Sequence, residues 1–204
     1  MIRAVFFDLG GVIVDVHDKA FIDALVKVSP FSPQDFLIRA RKFSAQKNLE
    51  MGTISLKEFY EKTRDYFYIS MKFPEFEEKF TQIFSPRKSV IDVIEKIKDA
   101  VTLGVISNTS EAHFNRIVEQ VEVIQQLPFI ILSYREQMMK PDPAIFETAI
   151  RRANCEPQEA VFFDDKEENA KAAAEIGMHG LFYTEKMDLL HELKKLGLNL
   201  PHSK

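Results

Sequence analysis

The sequence predicts an α/β protein built on a parallel β-sheet that carries a helical insert. From residue 89 onward, short apolar runs alternate with amphipathic helical patterns, as in a parallel sheet covered by helices. One more apolar run, at residues 4–14, stands apart from these. Between them, residues 15–88 show helical patterns without a convincing buried strand. We therefore predict an α/β core formed by residues 1–14 and 89–204, and a helical cap at residues 15–88.

The first apolar run predicts a short, buried strand that ends at Asp8 and is followed by Gly10 and Gly11. In open α/β sheets, ligands bind outside the carboxyl ends of the strands. The glycines allow a sharp turn and a close approach of the backbone to a ligand. The alternative is a plain strand and glycine turn in which Asp8 caps a neighbouring group.

The insert is predicted to be a small helical bundle with an aromatic core. Ser55 and Glu58 have the spacing of a capping box at a helix start. The candidate helices of the insert are residues 20–28, 33–47, 56–67 and 73–84. A unit inserted directly after the first strand lies above the end of the sheet that carries Asp8, where a lid would close over an active site.

The remaining elements follow in alternation, and the tail 199–204 is expected to be loose. The predicted strands are 101–106, 129–132, 160–163 and 180–183; the predicted helices are 89–99, 111–120, 143–153, 167–176 and 187–196.

Composition restricts the class of protein. The 204 residues carry a net charge of −4, so no basic face for nucleic acid is expected. The single cysteine, Cys155, forms neither an internal disulfide nor a zinc cluster and is expected to be a small buried hydrophobe. No secretory signal pattern and no apolar run of membrane-spanning length is present, and the expected location is the cytoplasm.

Two of the later strand ends carry groups that could hold an anion. Ser107, followed by Asn108, ends the second core strand, and its hydroxyl with the next backbone N–H groups could bind a phosphoryl oxygen. Helix capping explains the same residues equally simply. Lys140 precedes a helix that starts at Pro143; it could neutralise carboxylates and bind phosphate, or be a solvated lysine in a turn.

The fourth core strand ends in Asp164 and Asp165, with Asn169 shortly after. Two adjacent carboxylates are costly to bring together without a cation, and oxygen ligands of this kind suit Mg²⁺. The alternative is an acidic helix N-terminus, where Asp and Glu are favoured in any case.

Together these stretches resemble the four motifs of the haloacid dehalogenase (HAD) superfamily, in order and along essentially the whole chain. Asp8 matches the nucleophile, Ser107 and Lys140 match the second and third motifs, and Asp164-Asp165 matches the fourth. The insert resembles the helical C1-type cap. More narrowly, the chain resembles the bacterial branch that includes glucose-1-phosphate phosphatase. This narrower resemblance lies in the first and fourth motifs and in the stretch Met51-Gly52-Thr53-Ile54-Ser55.

The resemblance implies a Rossmann-like sheet of order 5-4-1-2-3 and a covalent mechanism. Asp8 would attack phosphorus to form an aspartyl-phosphate, which water hydrolyses. Mg²⁺ would be held by Asp8, the Gly10 carbonyl and Asp165, with Asp164 at or near the metal. Phosphoryl oxygens would be bound by Ser107, Asn108 and Lys140, and Asn169 would support the acidic pair. The implied partner is a small phosphomonoester, and the chain would be a monomer or homodimer.

One position departs from the pattern of the family. Most phosphatases of this superfamily carry a second Asp two residues after the nucleophile, where this chain has Gly10. A glycine carbonyl can bind metal but cannot transfer a proton, which favours leaving groups that need little protonation, such as an anomeric sugar phosphate. Asp15, His17 and Asp18 are alternative proton donors, although each also fits a solvated hinge.

Gly10 leaves two other functions open. Metal-independent haloacid dehalogenases also lack the second Asp, but their fourth motif is not an Asp-Asp pair. A degenerate HAD-fold binding protein would keep the fold and the metal without useful turnover. The intact Asp8, Ser107, Lys140 and Asp164-Asp165 favour the phosphatase.

Overall fold

A five-stranded parallel sheet forms the centre of the computed structural model, which describes residues 1–198. The sheet strands are β1 (Ala4–Phe7), β4 (Thr102–Ser107), β5 (Phe129–Leu132), β6 (Ala160–Asp164) and β7 (His179–Phe182). Their order is β5-β4-β1-β6-β7. If these strands are counted one to five along the chain and the sheet is read from β7 to β5, the order is 5-4-1-2-3, which confirms the predicted topology. The tail 199–204, expected to be loose, lies outside the described residues.

Helices cover both faces of this sheet, and the residues of β1 and β6 are therefore buried on both sides. The helices outside the insert are α6 (Lys88–Ile97), α7 (Glu111–Gln120), α8 (Ser133–Glu136), α9 (Pro143–Ala153), α10 (Glu167–Glu175) and α11 (Leu189–Lys195). Short 3₁₀ turns lie at Glu122–Gln126 and Pro157–Glu159. Two apolar clusters result, one on each face of the sheet, centred on Phe7 and Phe163 and on Phe6 and Phe162.

The insert forms five helices with an apolar cluster of their own. They are α1 (Lys19–Lys27), α2 (Pro33–Ala40), α3 (Ala45–Glu50), α4 (Leu56–Phe67) and α5 (Phe73–Thr81). Ser55 caps α4 with the expected capping box, since its hydroxyl and the Glu58 carboxylate bond reciprocally to backbone N–H groups. Aromatic rings fill the cluster, including the stacked pair Phe36–Phe67 with centroids 4.4 Å apart.

The structure differs from the sequence prediction at the edges of this insert. The single helix expected at 33–47 is two helices, because the chain turns at residues 41–44 so that Phe43 can pack on Tyr66 and Phe67. The helix expected to reach residue 84 ends at Thr81. No strand was expected between 15 and 88, yet β2 (Val14–Val16) and β3 (Phe84–Pro86) pair as an antiparallel ribbon. This ribbon is the double connection between the insert and the sheet.

Candidate active site

Three of the predicted strand ends meet at one edge of the sheet. Asp8 directly follows β1, which lies between β4 and β6. Ser107 is the last residue of β4, and Asp164 is the last residue of β6. All three side chains are buried. Parallel pairing in register therefore brings a carboxylate, a hydroxyl and a second carboxylate together from positions far apart in sequence.

Lys140 links the two buried carboxylates. Its ammonium lies 2.9 Å from Asp8 Oδ2 and 2.6 Å from Asp164 Oδ2, and it donates to the Ile106 carbonyl at 2.9 Å. The side chain is 1 % exposed. A buried ammonium with three oxygen partners is fully satisfied, so it serves as a fixed positive charge at the centre of the site.

Asn108 fixes the backbone of Lys140. Its side-chain Nδ2 donates to the Lys140 carbonyl at 2.8 Å, and its Oδ1 accepts from the Lys140 N–H at 2.8 Å. Both ends of the side-chain amide are therefore occupied by protein groups. The phosphate-binding role of Asn108 stays a prediction; in this geometry its side-chain oxygen and one of its two Nδ2–H groups bond to the Lys140 backbone.

Asp164 has protein donors on both carboxylate oxygens. Oδ1 accepts from the Lys166 N–H at 2.8 Å and from Asn169 Nδ2 at 3.0 Å, while Oδ2 accepts from Lys140 and, at 3.1 Å, from Asn169. Its exposed fraction is 0 %. Asp164 is thus held in one orientation, and its oxygens are already engaged by donors.

Asp165 is the exposed member of the acidic group. Asp8, Asp164 and Asp165 each present a carboxylate oxygen within 4.8 Å of the others. A Cβ placed on Gly11, whose φ is +76°, would lie 2.2 Å from Asp165 Oδ2. The loop after β1 and the acidic loop after β6 therefore touch, and a side chain at Gly11 would push them apart.

Burial and neighbouring charges shift the pKa values of the acidic group. Burial raises the pKa of Asp8 to about 6, with a further upward contribution from Asp164, while Lys140 and the Ser107 hydroxyl oppose the shift. Burial and the charge of Asp164 also raise the pKa of Asp165. Three carboxylates share the one buried ammonium of Lys140, an arrangement that favours an added cation.

Arg87 holds the start of the insert against the loop that follows β1. It follows β3, donates to the Gly11 carbonyl at 2.9 Å, and forms hydrogen bonds to Asp15 through Nε and Nη2. Asp15, considered above as a proton donor, is therefore paired with a guanidinium. Arg87 was not predicted from the sequence, because its partners lie more than 70 residues away and carry no local signal.

A cavity of about 680 Å³ lies between the sheet edge and the insert. The core contributes Asp8, Ser107, Asp165 and Lys166 to its walls, and the insert contributes Phe21, Gln46 and Glu50. The sheet edge contributes mainly polar groups, whereas the insert contributes both polar groups and apolar ones such as Phe80 and Ile83. The cavity has the size of a small-molecule site with its charged end at the acidic group.

His113 belongs to the wall between core and insert and is predicted to make stability pH-dependent. Its ring stacks on Phe80 at 4.1 Å and its Nε2 donates to the Phe80 carbonyl. Burial lowers its pKa to about 4 from 6.5. The unfolded chain takes up this proton first, so stability is full above pH 6.5 and falls between about 6.5 and 4, by about 1.4 kcal/mol per pH unit at most.

Urea unfolding at several pH values measures this effect. We expect His113→Gln to flatten the loss of stability between pH 6.5 and 4, and the same change at exposed His191 to leave it as in the wild type. An unchanged slope in His113→Gln would show that another group is responsible.

Within residues 1–198, no helix combines the length and the apolar character needed to cross a membrane.

Comparison with known proteins agrees with this architecture. D-ribitol-5-phosphate phosphatase from Bacteroides thetaiotaomicron is 25% identical over 87% of this chain and 89% of its own length. A HAD family enzyme from the same organism, solved with magnesium and inorganic phosphate, has a TM-score of 0.82, 23% identity and coverage of 94% and 99% of the two chains. A HAD phosphatase from Thermococcus onnurineus has a TM-score of 0.69 at 20% identity, covering 98% of this chain and 100% of that one.

A sequence model of the haloacid dehalogenase-like hydrolases matches residues 2–177. This match confirms the family resemblance that the four motifs indicated. That match covers the first strand, the insert and the sheet as far as α10. The chain therefore belongs to the haloacid dehalogenase-like hydrolase family.

Proposed function

We propose that this protein is a Mg²⁺-dependent phosphatase that hydrolyses a small phosphomonoester through an aspartyl-phosphate on Asp8. The observation that carries the proposal is the group of three carboxylates, with oxygens within 4.8 Å of one another, around the buried ammonium of Lys140. A metal-independent dehalogenase needs only its nucleophilic carboxylate, so the other two carboxylates would have no role in its reaction. Displacement at an anionic phosphate requires a cation to offset the negative charges of the carboxylates and of the substrate.

The donor set fits Mg²⁺. The available ligands are all oxygens, which this cation prefers. Since the Asp164 oxygens are taken by Lys140, Asn169 and the Lys166 N–H, Asp164 acts by orienting Lys140 and the loop. Asp8, the Gly10 carbonyl and exposed Asp165 would hold the ion. When bound, Mg²⁺ supplies positive charge that allows an anionic phosphate to approach Asp8.

The residues of the chain divide the remaining work. The Asp8 carboxylate attacks phosphorus and forms the acyl phosphate. Lys140, whose ammonium already contacts three oxygens, places positive charge beside Asp8. The Ser107 hydroxyl, also buried there, binds a phosphoryl oxygen as charge moves onto it. The insert, proposed as a cap over residues 15–88, closes the cavity from above and excludes water. Water then cleaves the acyl phosphate and restores Asp8.

A sugar or polyol phosphate is the proposed substrate class. The cavity of about 680 Å³ suits a molecule of that size, and its polar lining includes Gln46, Asn108 and Thr109. The D-ribitol-5-phosphate phosphatase relative acts on a polyol phosphate, and the branch suggested by the motifs acts on glucose 1-phosphate.

Phosphate release from 4-nitrophenyl phosphate, glucose 1-phosphate and D-ribitol 5-phosphate, each with Mg²⁺ and with EDTA, tests the proposal. We expect turnover with Mg²⁺ and none with EDTA. Release that is equal in EDTA would contradict the metal-dependent mechanism. Absence of release from all three would favour a binding protein.

Asp165→Asn is expected to weaken metal dependence specifically. The change removes one anionic ligand from an exposed position, so folding should be retained while the half-saturating Mg²⁺ concentration rises by at least about 10-fold. Mg²⁺ titration of 4-nitrophenyl phosphate turnover measures this shift. Glu168→Gln, at an exposed acid in the first turn of α10, is the matched control and should titrate as the wild type.

A further inference from the structure

The proposed reaction needs a proton donor that the nucleophile loop does not contain. An alkoxide leaving group must be protonated as it departs, and the residue two positions after Asp8 is Gly10. The donor must therefore come from another wall of the cavity. Five further residues with carboxyl or imidazole groups line it: Asp15, His17, Asp18, Glu50 and His113.

Four of these groups are poorly placed or poorly suited. Asp15 is paired with Arg87. His17 Nε2 bonds to the Ser85 hydroxyl at 2.7 Å, and Asp18 is an exposed residue directly before α1. His113, with its pKa lowered to about 4, carries no second proton to donate at neutral pH. Glu50 remains.

Glu50 is oriented within the cavity by its own helix. It is the last residue of α3 and is partly buried. Gln46, one turn earlier and also in the cavity wall, donates from Nε2 to Glu50 Oε1 at 2.9 Å. Among the described residues, no hydrogen bond occupies Oε2. One carboxyl oxygen is thus positioned by the protein, and the other is available to a ligand.

The backbone of Glu50 is tied to the phosphate side of the site. The buried Ser133 hydroxyl donates to the Glu50 carbonyl at 2.6 Å and accepts from the Thr109 N–H at 3.0 Å. Thr109 lies two residues after Ser107. One hydroxyl therefore joins the end of α3 to the loop that follows β4.

The turn after Glu50 fixes the same contact. Gly52 has φ +68°, and a Cβ there would lie 2.3 Å from the Tyr134 carbonyl oxygen. Only glycine allows the turn to lie this close to the core. The insert is thereby docked on the core at the position where Glu50 enters the cavity.

The environment also suits an acid. Burial raises the pKa of the Glu50 carboxyl, with Gln46 and the Lys166 ammonium acting in the opposite direction. A carboxyl with a raised pKa keeps its proton to a higher pH than a free glutamate does, which is the direction that proton donors in active sites require.

We propose that Glu50 is the general acid and base of this enzyme, in place of the residue missing at Gly10; this rests on the proposed phosphatase function. As an Asp8 oxygen bonds to phosphorus and the ester P–O bond breaks, the Glu50 proton passes to the departing oxygen and an alcohol leaves. Glu50 carboxylate then takes a proton from water as the water oxygen bonds to phosphorus. The P–O bond to Asp8 breaks, and both residues return to their starting states.

The role has a consequence for the substrate. Gly10 alone would restrict the enzyme to leaving groups that need little protonation. With Glu50 as the acid, unactivated alkyl phosphates such as polyol phosphates become substrates.

Glu50→Gln separates proton transfer from positioning. Glutamine keeps the shape and the Oε1 acceptor for Gln46 but has no transferable proton. We compare kcat/KM for D-ribitol 5-phosphate and two other alkyl phosphates with kcat/KM for 4-nitrophenyl phosphate, because this parameter reports the first phosphoryl transfer. We expect a fall of about 10²–10⁴-fold for the alkyl esters and a change within about 3-fold for the aryl ester.

Glu147→Gln, at an exposed residue of α9, is the matched control and should change neither value. Retained aryl turnover shows that the variant site is folded. Equal losses on both substrate types in Glu50→Gln, or no loss on either, would overturn the role of Glu50. Wild-type turnover of the aryl ester but of no alkyl ester would overturn it as well. A wild type that hydrolyses none of the esters overturns the phosphatase function itself, and the role of Glu50 with it.

Discussion

Replacing Asp8 with asparagine is expected to lower kcat by at least about 10⁴-fold on every phosphomonoester that the wild type hydrolyses. The carboxamide has nearly the same shape but is not a nucleophile. Asp164 cannot take its place because it is held by four hydrogen bonds, and Asp165 is proposed to hold the metal. Initial rates at saturating Mg²⁺, with 4-nitrophenyl phosphate as substrate, measure the loss.

An exposed aspartate outside the cavity provides the control. Asp92 lies on the surface of α6, paired with Lys88, and Asp92→Asn should retain full activity. Turnover by Asp8→Asn within about 10-fold of the wild type would rule out Asp8 as the nucleophile.

Lys140→Met is expected to give the largest loss of stability among single substitutions in the site. The change leaves Asp8 and fully buried Asp164 without the ammonium that lies between them. Leaving a buried charge unpaired costs about 3–5 kcal/mol of unfolding free energy. Urea unfolding at neutral pH in EDTA measures the loss, and activity should fall with it because Lys140 is proposed to supply the positive charge beside Asp8.

The pH dependence of this loss identifies its cause. Lys140 lowers the pKa of Asp8, so without it the carboxyl takes up a proton more readily. Protonation removes the unpaired charge, and the difference between variant and wild type should therefore shrink as the pH falls from 7 toward 4. Lys171→Met, at a lysine with 68% side-chain exposure, should cost little at either pH. A small loss in Lys140→Met at neutral pH would contradict the buried-charge explanation.

The sequence predicts the sheet and the groups at its edge because those signals are local. Asp8, Ser107 and Asp164 each end an apolar run, and the alternation of strands and helices implies that the runs are parallel. Parallel strands place their carboxyl ends at one edge, which brings the three groups together. The strand order followed from the family resemblance, since periodicity alone does not rank strands across a sheet.

Pairing over long distances leaves no comparable signal. The β2–β3 ribbon joins residues about 70 positions apart in three-residue strands, too short for an alternating pattern to stand out. Arg87 and its partners at Gly11 and Asp15 belong to the same contact. These features arise when the insert closes on the core, which sequence periodicity does not describe.

Side-chain roles show the same limit. The sequence predicts that Asn108 follows a strand, as it does. It does not predict the two hydrogen bonds between the Asn108 side chain and the backbone of Lys140, 32 residues away. Glu50 precedes the stretch used for the family resemblance and looks there like an ordinary helical acid. Its position becomes meaningful only when Ser133 and Gly52 dock the end of α3 on the core.

The central claim is that phosphate passes through Asp8, and acid quenching during the first turnover tests it most directly. Enzyme mixed with excess 4-nitrophenyl phosphate and Mg²⁺ is quenched in the millisecond range, digested and examined by mass spectrometry. We expect the peptide that contains Asp8 to gain the mass of one phosphoryl group, together with a burst of nitrophenol that matches the enzyme concentration. Wild-type turnover with neither a burst nor a modified peptide, at times shorter than one catalytic cycle, would contradict the covalent mechanism.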